Sequence, residues 1–117
     1  MTRVDFDELS FEDGWYHEGQ LFTGTAFENW PDGSIRSEQD FEMGMKSGWG
    51  REYNRSGQLV EETPYKNGAA HGLARAFYDD GRLRSEEQLD SARLVWRKAY
   101  DPDGRVIEEV HAEQEPK

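Results

Sequence analysis

The sequence predicts an all-β fold, an elongated antiparallel meander of stacked β-hairpins made from a 24-residue repeat, and three observations carry that expectation. Glycines recur in register: Gly24, Gly48 and Gly72 are 24 apart, and Gly33, Gly57 and Gly81 take the same step before Gly104 follows after 23. Gly44 and Gly68 form a third series, with Gly19 one residue early and Ala92 where the next glycine would stand. Turn dipeptides that accept positive φ recur with them, namely Asp32-Gly33, Ser56-Gly57, Asn67-Gly68, Asp80-Gly81 and Asp103-Gly104. The segments between turns are too short for stable helices and set β-favouring residues at alternate positions. Leu59 and Tyr65 share one parity, as do Leu83 and Leu89, and Trp49 and Tyr53. Each such pair is expected on one face of its strand.

In chain order, residues 1–14 form an acidic N-terminal cap that stands outside the repeat and is not needed for the units to stack. Residues 15–110 form an array of about four units, and residues 111–117 a polar tail. Within the array, Phe41-Glu42-Met43-Gly44 superimposes on Tyr65-Lys66-Asn67-Gly68, with Tyr16-His17-Glu18-Gly19 before them and the degraded Leu89-Asp90-Ser91-Ala92 after. A second signature follows Gly33, Gly57, Gly81 and Gly104: an aliphatic residue two places on (Ile35, Leu59, Leu83, Val106) and a glutamate five places on (Glu38, Glu62, Glu86, Glu109). The expected meander has about eight or nine short strands. Pro31, Pro64 and Pro102 fall at or near turns or strand ends, where a missing donor is tolerated.

Composition narrows the function. Of 117 residues, 34% are hydrophobic and 33% charged, so the core is thin and the aromatics, 13%, must supply much of the buried area. Cysteine is absent, which excludes disulfides and thiolate metal sites. Residues 1–7 lack the apolar stretch of a secretory signal, and no run approaches the roughly 18 apolar residues of a membrane span, so a cytoplasmic protein is expected. The net charge is −11, and residues 1–42 set only Arg3 and Arg36 against eleven acids. Such a field repels nucleic-acid phosphates and anionic lipid and draws in basic proteins.

No catalytic constellation is present. His17, His71 and His111 form no ligand-spaced pair, and the glycines follow the structural period instead of a phosphate-binding loop. Neither an enzyme activity, a cofactor nor a metal is expected. Glu38, Glu62, Glu86 and Glu109 recur in every unit, and strands two apart lie about 10 Å from each other, so they form a ladder. Cross-strand pairing with arginines such as Arg36, Arg82, Arg84 and Arg105 gives that ladder a structural role beside the turn glycines. Candidate partner contacts are the acids Asp5, Asp7, Glu8, Glu12 and Asp13 with the aromatic anchors Trp15, Tyr16 and Trp30.

From about Trp15 to Glu109 the pattern, aromatic-x-x-Gly, a second glycine after a short gap, then Gly-x-aliphatic-x-x-Glu, resembles the MORN-variant repeat, the group that includes the YwqK-type bacterial antitoxins. The resemblance implies a gently curved sheet of stacked hairpins and an antitoxin or immunity protein that neutralises a cognate toxin, plausibly a basic nuclease. A general protein-interaction scaffold is the alternative it implies. The last unit departs from the pattern through Ala92, Val95 and a one-residue deletion, changes that fit a capping unit. Open sheet edges leave two assembly states, a monomer or an edge-paired dimer.

Overall fold

The computed structural model describes residues 2–112. In chain order it contains β1 (Arg3–Asp5), a 3₁₀ turn (Phe6–Glu8), β2 (Leu9–Phe11), β3 (Trp15–His17), β4 (Gln20–Leu21), β5 (Gly24–Asn29) and β6 (Ile35–Glu42). There follow β7 (Met45–Tyr53), β8 (Leu59–Lys66), β9 (Ala69–Ala70), β10 (Gly72–Phe77), β11 (Leu83–Asp90), β12 (Arg93–Tyr100) and β13 (Val106–His111). The chain is all-β, with no α-helix among the described residues. One large sheet runs β1-β5-β6-β7-β8-β10-β11-β12-β13, with β9 paired to β8, and a small sheet holds β2, β3 and β4. Every neighbouring pair in both sheets is antiparallel except β1, which joins β5 in parallel. The molecule measures 46 × 45 × 19 Å, the thickness of a sheet covered over only part of its area.

Two turn types alternate along the large sheet. At one end, the N–H groups of Trp30, Asn54, Tyr78 and Asp101 donate to the carbonyls of Ser34, Gln58, Arg82 and Arg105, while Gly33, Gly57, Gly81 and Gly104 donate back to the first residue of each turn. At the other end, two-residue turns place both positions at positive φ: Met43-Gly44, Asn67-Gly68 and Ser91-Ala92, as Glu18-Gly19 does in the small sheet. Ala92 keeps the turn backbone at φ 70 although it carries a Cβ.

Beside each wide turn the pairing shifts by one residue, so that Arg36, Val60, Arg84 and Ile107 are the unpaired residues of bulges. The bulge corrects one expectation. Leu59 pairs with Tyr53 and shares its face, whereas Tyr65, beyond the bulge, lies opposite Gly48 on the other face. An extra residue inverts the alternation on one side of it.

The buried core sits at the N-terminal end of the sheet. Val4, Phe22, Ala26 and Phe41 are buried there, with Phe6, Leu9 and Trp15 packed against them. The rings of Phe6 and Trp15 lie 4.9 Å apart and those of Phe22 and Phe41 5.7 Å apart. The small sheet folds over one face of β5 and β6, and Gly44 fastens it: Trp15 donates to the Gly44 carbonyl at 2.9 Å, and Gly44 donates to Phe22 at 2.8 Å. A side chain at Gly44 would meet Leu21 Cδ2 at 2.5 Å and the Trp15 carbonyl at 3.1 Å. Residues 1–14 are expected to stand apart from the stack, yet Val4 packs in this core and β1 forms the first edge of the large sheet.

Candidate protein-interaction surface

The two faces of the large sheet differ in how they settle their charges. On one, the repeat glutamates and a set of cations stand opposite one another in a single row: Glu38–Arg51, Arg51–Glu62, Glu62–Arg75, Arg75–Glu86, Glu86–Lys98 and Lys98–Glu109. Opposite charges directly across strands stabilise the pairing. At the first edge Arg3 Nη1 reaches Glu38 Oε2 at 2.6 Å, so Glu38 also has cations on both sides. The Tyr53 hydroxyl donates to Glu38 at 2.8 Å, and the Tyr100 hydroxyl to Glu86 at 2.9 Å. Burial pushes the Glu38 carboxyl up, but the hydrogen bonds from Arg3 and Tyr53, with the nearby guanidinium charges, hold it below the usual glutamate range. The four glutamates stand in one row across the sheet, and the cations opposite them are Arg51, Arg75 and Lys98. Arg36 and Arg84 are bulge residues, Arg82 pairs with Asp80 at 3.1 Å, and Arg105 lies in the last wide turn.

The other face is the one the small sheet covers at its N-terminal end, and beyond that cover it is open. Its floor is made of small residues, among them Gly50, Thr63, Ala74, Ala76 and Ser85, with Ala74, Ala76 and Ser85 buried beneath longer neighbours. A groove of about 250 Å³ between Phe6, Lys46 and Tyr65 meets a wider one of about 550 Å³, bounded by Trp30, Arg36, Val60 and Tyr78, at Glu52. At this junction Glu52 and Glu61 stand directly opposite each other across β7 and β8. Neither makes an ion pair among the described residues. Loss of part of its water shell raises the Glu61 carboxyl above the usual range, and the hydrogen bond and charge of Glu52 push the same way. Tyr65 is raised by burial and then by both carboxylates.

The expected partner residues scatter over several roles. Asp5 caps the 3₁₀ turn, accepting from the Asp7 N–H at 2.9 Å while Glu8 accepts from the Asp5 N–H at 3.2 Å, so both carboxylates are engaged locally. Asp13 accepts from the Tyr16 hydroxyl at 2.8 Å, which leaves Asp7 and Glu12 as exposed acids with no side-chain bond among the described residues. Trp15 packs in the core and serves there, not as a free anchor. Trp30 lines the wider groove with the guanidinium carbons of Arg36 and Arg55 at 5.0 and 4.9 Å from its ring centre. Sequence reasoning missed Glu52, Glu61 and Tyr65 as a cluster. Among the described residues no group of three or more His, Asp or Glu side chains is placed to hold a metal ion, and no helix is long and apolar enough to cross a membrane. His71 Nδ1 accepts from the Ser91 N–H at 3.1 Å, supporting the Ser91-Ala92 turn.

The family model described as MORN repeat variant matches residues 50–67 and 70–90. The bonded wide turn of the matched stretch, at residues 54–58 and 78–82, recurs on either side of it at residues 30–34 and 101–105. Among solved structures, the crystal structure of accessory secretory protein 1,2 and 3 in Streptococcus pneumoniae aligns with a TM-score of 0.46 at 12% identity, covering 92% of this chain and 19% of that chain. No curated protein matches the sequence.

Proposed function

We propose that the protein is a non-enzymatic protein-binding module that works in the cytoplasm and takes a basic partner on the open groove face. The observation that carries this reading is the Glu52–Glu61 pair. Like charges directly across two strands destabilise the free fold, yet the opposite face of the same sheet pairs its charges one for one. A cationic side chain of a partner, placed at the junction of the grooves, removes that repulsion and gains two acceptors. In its finer form the module is an antitoxin or immunity protein covering a basic toxin, supported by the net charge of −11 and the resemblance to YwqK-type antitoxins. Histidines held in local contacts, His71 with Ser91 and His111 with Glu109, favour the non-catalytic reading.

The test is capture with tagged wild-type protein and with the double variant Glu52→Lys, Glu61→Lys, followed by mass spectrometry at low and high salt. The expected outcome is one basic protein, lost in the variant and weakened by salt, whose gene is adjacent in the source genome if the immunity form holds. Equal capture by wild type and variant sinks the groove-face reading.

A further inference from the structure

The ladder face contains a unit that recurs wherever one repeat meets the next. Arg51 stands opposite Glu38, and Tyr53, two residues further on, donates its hydroxyl to the same carboxylate. Lys98 stands opposite Glu86, and Tyr100 repeats the bond. Arg75 stands opposite Glu62 with Phe77 in the tyrosine position, so the clasp there lacks its hydroxyl. Each of these three glutamates also has a cation on its other side, from Arg3, Arg51 or Arg75.

Glu109 is the fourth glutamate of the series, on β13, the last strand of the sheet order. Lys98 lies on its inner side, and among the described residues no strand lies on its outer side. His111, two residues along the same strand, holds its carboxylate at 2.8 Å instead. The Ala112 N–H donates inward to the Val95 carbonyl while His111 is the register partner of Trp96, which makes that pair non-hydrogen-bonded across β12 and β13. By alternation the backbone groups of Glu109 and His111 point to the outer edge. Val106 and Ile107 flank them at 51% and 65% exposure.

We propose that the outer edge of β13 is a second docking site, which takes an antiparallel strand of a partner protein carrying a cation-x-tyrosine triplet, the cation opposite Glu109 and the tyrosine hydroxyl on its carboxylate. This rests on the protein-binding reading but not on the groove face. Strand addition supplies backbone hydrogen bonds, and the triplet supplies register. A second copy of the chain does not meet the requirement. Its Arg51-Tyr53 and Lys98-Tyr100 strands are paired on both edges, and two β13 strands paired antiparallel about their centre would set Glu108 of one copy against Glu109 of the other. The opposite edge of the sheet, β1, is only three residues long and its Arg3 is committed to Glu38.

The probe is an end-blocked synthetic peptide copying residues 93–100, Arg-Leu-Val-Trp-Arg-Lys-Ala-Tyr, with two relatives in which its lysine is replaced by glutamate or its tyrosine by phenylalanine. Binding to the full chain is followed by residue-resolved hydrogen exchange. The expected result is slowed exchange at Glu109 and His111, with affinity reduced about ten-fold for the glutamate peptide and about five-fold for the phenylalanine peptide. In the Glu109→Lys protein the glutamate peptide becomes the better ligand. Unchanged affinity across the three peptides, protection elsewhere in the sheet, or a homodimer that already protects these two amides overturns the proposal. A partner captured through the groove face, with no peptide bound at β13, would leave the proposed function standing and remove this inference alone.

Discussion

Replacing Glu61 with glutamine is predicted to stabilise the free protein while weakening its partner. Glu52 and Glu61 are directly opposed in the β7–β8 register, and a like-charge pair in that position costs about 0.2–1 kcal/mol. Both side chains are exposed, so solvent and salt screening bring the expected gain at neutral pH to about 0.5 kcal/mol, about 2 °C in Tm. The pH dependence fixes the sign. The Glu61 carboxyl is raised in the folded state, first by loss of water and then by Glu52, so folding strengthens its hold on the proton. Below the unfolded value of about 4.3 both states are protonated and the penalty is absent. As pH rises through that value and past the raised folded one, stability is lost. Wild type and Glu61→Gln should therefore have matching stability near pH 3.5 and separate by pH 7, with the variant higher, in urea titrations at low salt. A variant no more stable at pH 7, or one offset equally at both pH values, would refute the assignment of repulsion to this pair.

Three further outcomes follow from the packing and turns. Phe22→Ala should cost about 3–4 kcal/mol, since Phe22 is 3% exposed and touches the main cluster; hydrogen exchange should show residues 2–22 losing protection before β10–β12. Ala92→Gly should raise stability by about 0.5 kcal/mol in thermal melts, because relief of a left-handed alanine, φ 70, exceeds the added freedom of the unfolded glycine. Arg3→Ala should raise the Glu38 carboxyl toward the ordinary range by removing a 2.6 Å ion pair, seen by NMR titration. A depressed carboxyl gives stability that is present above the unfolded value and lost as pH falls through the folded one, so this variant should lose stability at neutral pH and show a shallower acid limb.

The parts of the fold legible in the sequence are those fixed by local chemistry. Asn67-Gly68 and Asp80-Gly81 specify positive φ wherever they occur, so the turns and the period were readable, and the glutamates two strands apart announced the ladder. Its cations were not found because they lie on facing strands, and a residue's own strand offers nearer arginines. A signal existed in the triplets Arg51-x-Tyr53, Arg75-x-Phe77 and Lys98-x-Tyr100, which keep the repeat period. The bulges at Val60 and Arg84 leave no composition mark, and each inverts the face assignment beyond it, so Glu61, Tyr65 and Glu52 could not be brought together from parity alone. Val4 and Phe6 lie outside the repeat, where no register was available to place them over Ala26 and Phe41.

The division of charge between the faces also gives the protein's field a direction. Glu38, Glu62, Glu86 and Glu109 are matched by Arg3, Arg51, Arg75 and Lys98, so the ladder contributes nothing to the net charge of −11. The excess resides elsewhere, in the N-terminal acids such as Asp7 and Glu12 and in the turns, whereas on the groove face Glu28, Glu52 and Glu61 stand among Lys46, Arg84 and Arg97. On the proposed reading a basic partner is drawn toward the acidic N-terminal third and the Glu52–Glu61 pair, while strand addition at β13 depends on backbone pairing and one local carboxylate. Added salt should slow association at the groove steeply and leave dissociation nearly unchanged. Peptide binding at β13 should respond to salt far less than to loss of the tyrosine hydroxyl. Stopped-flow measurements of the two events over the same salt series distinguish them, and equal salt slopes would mean that both ligands read one surface.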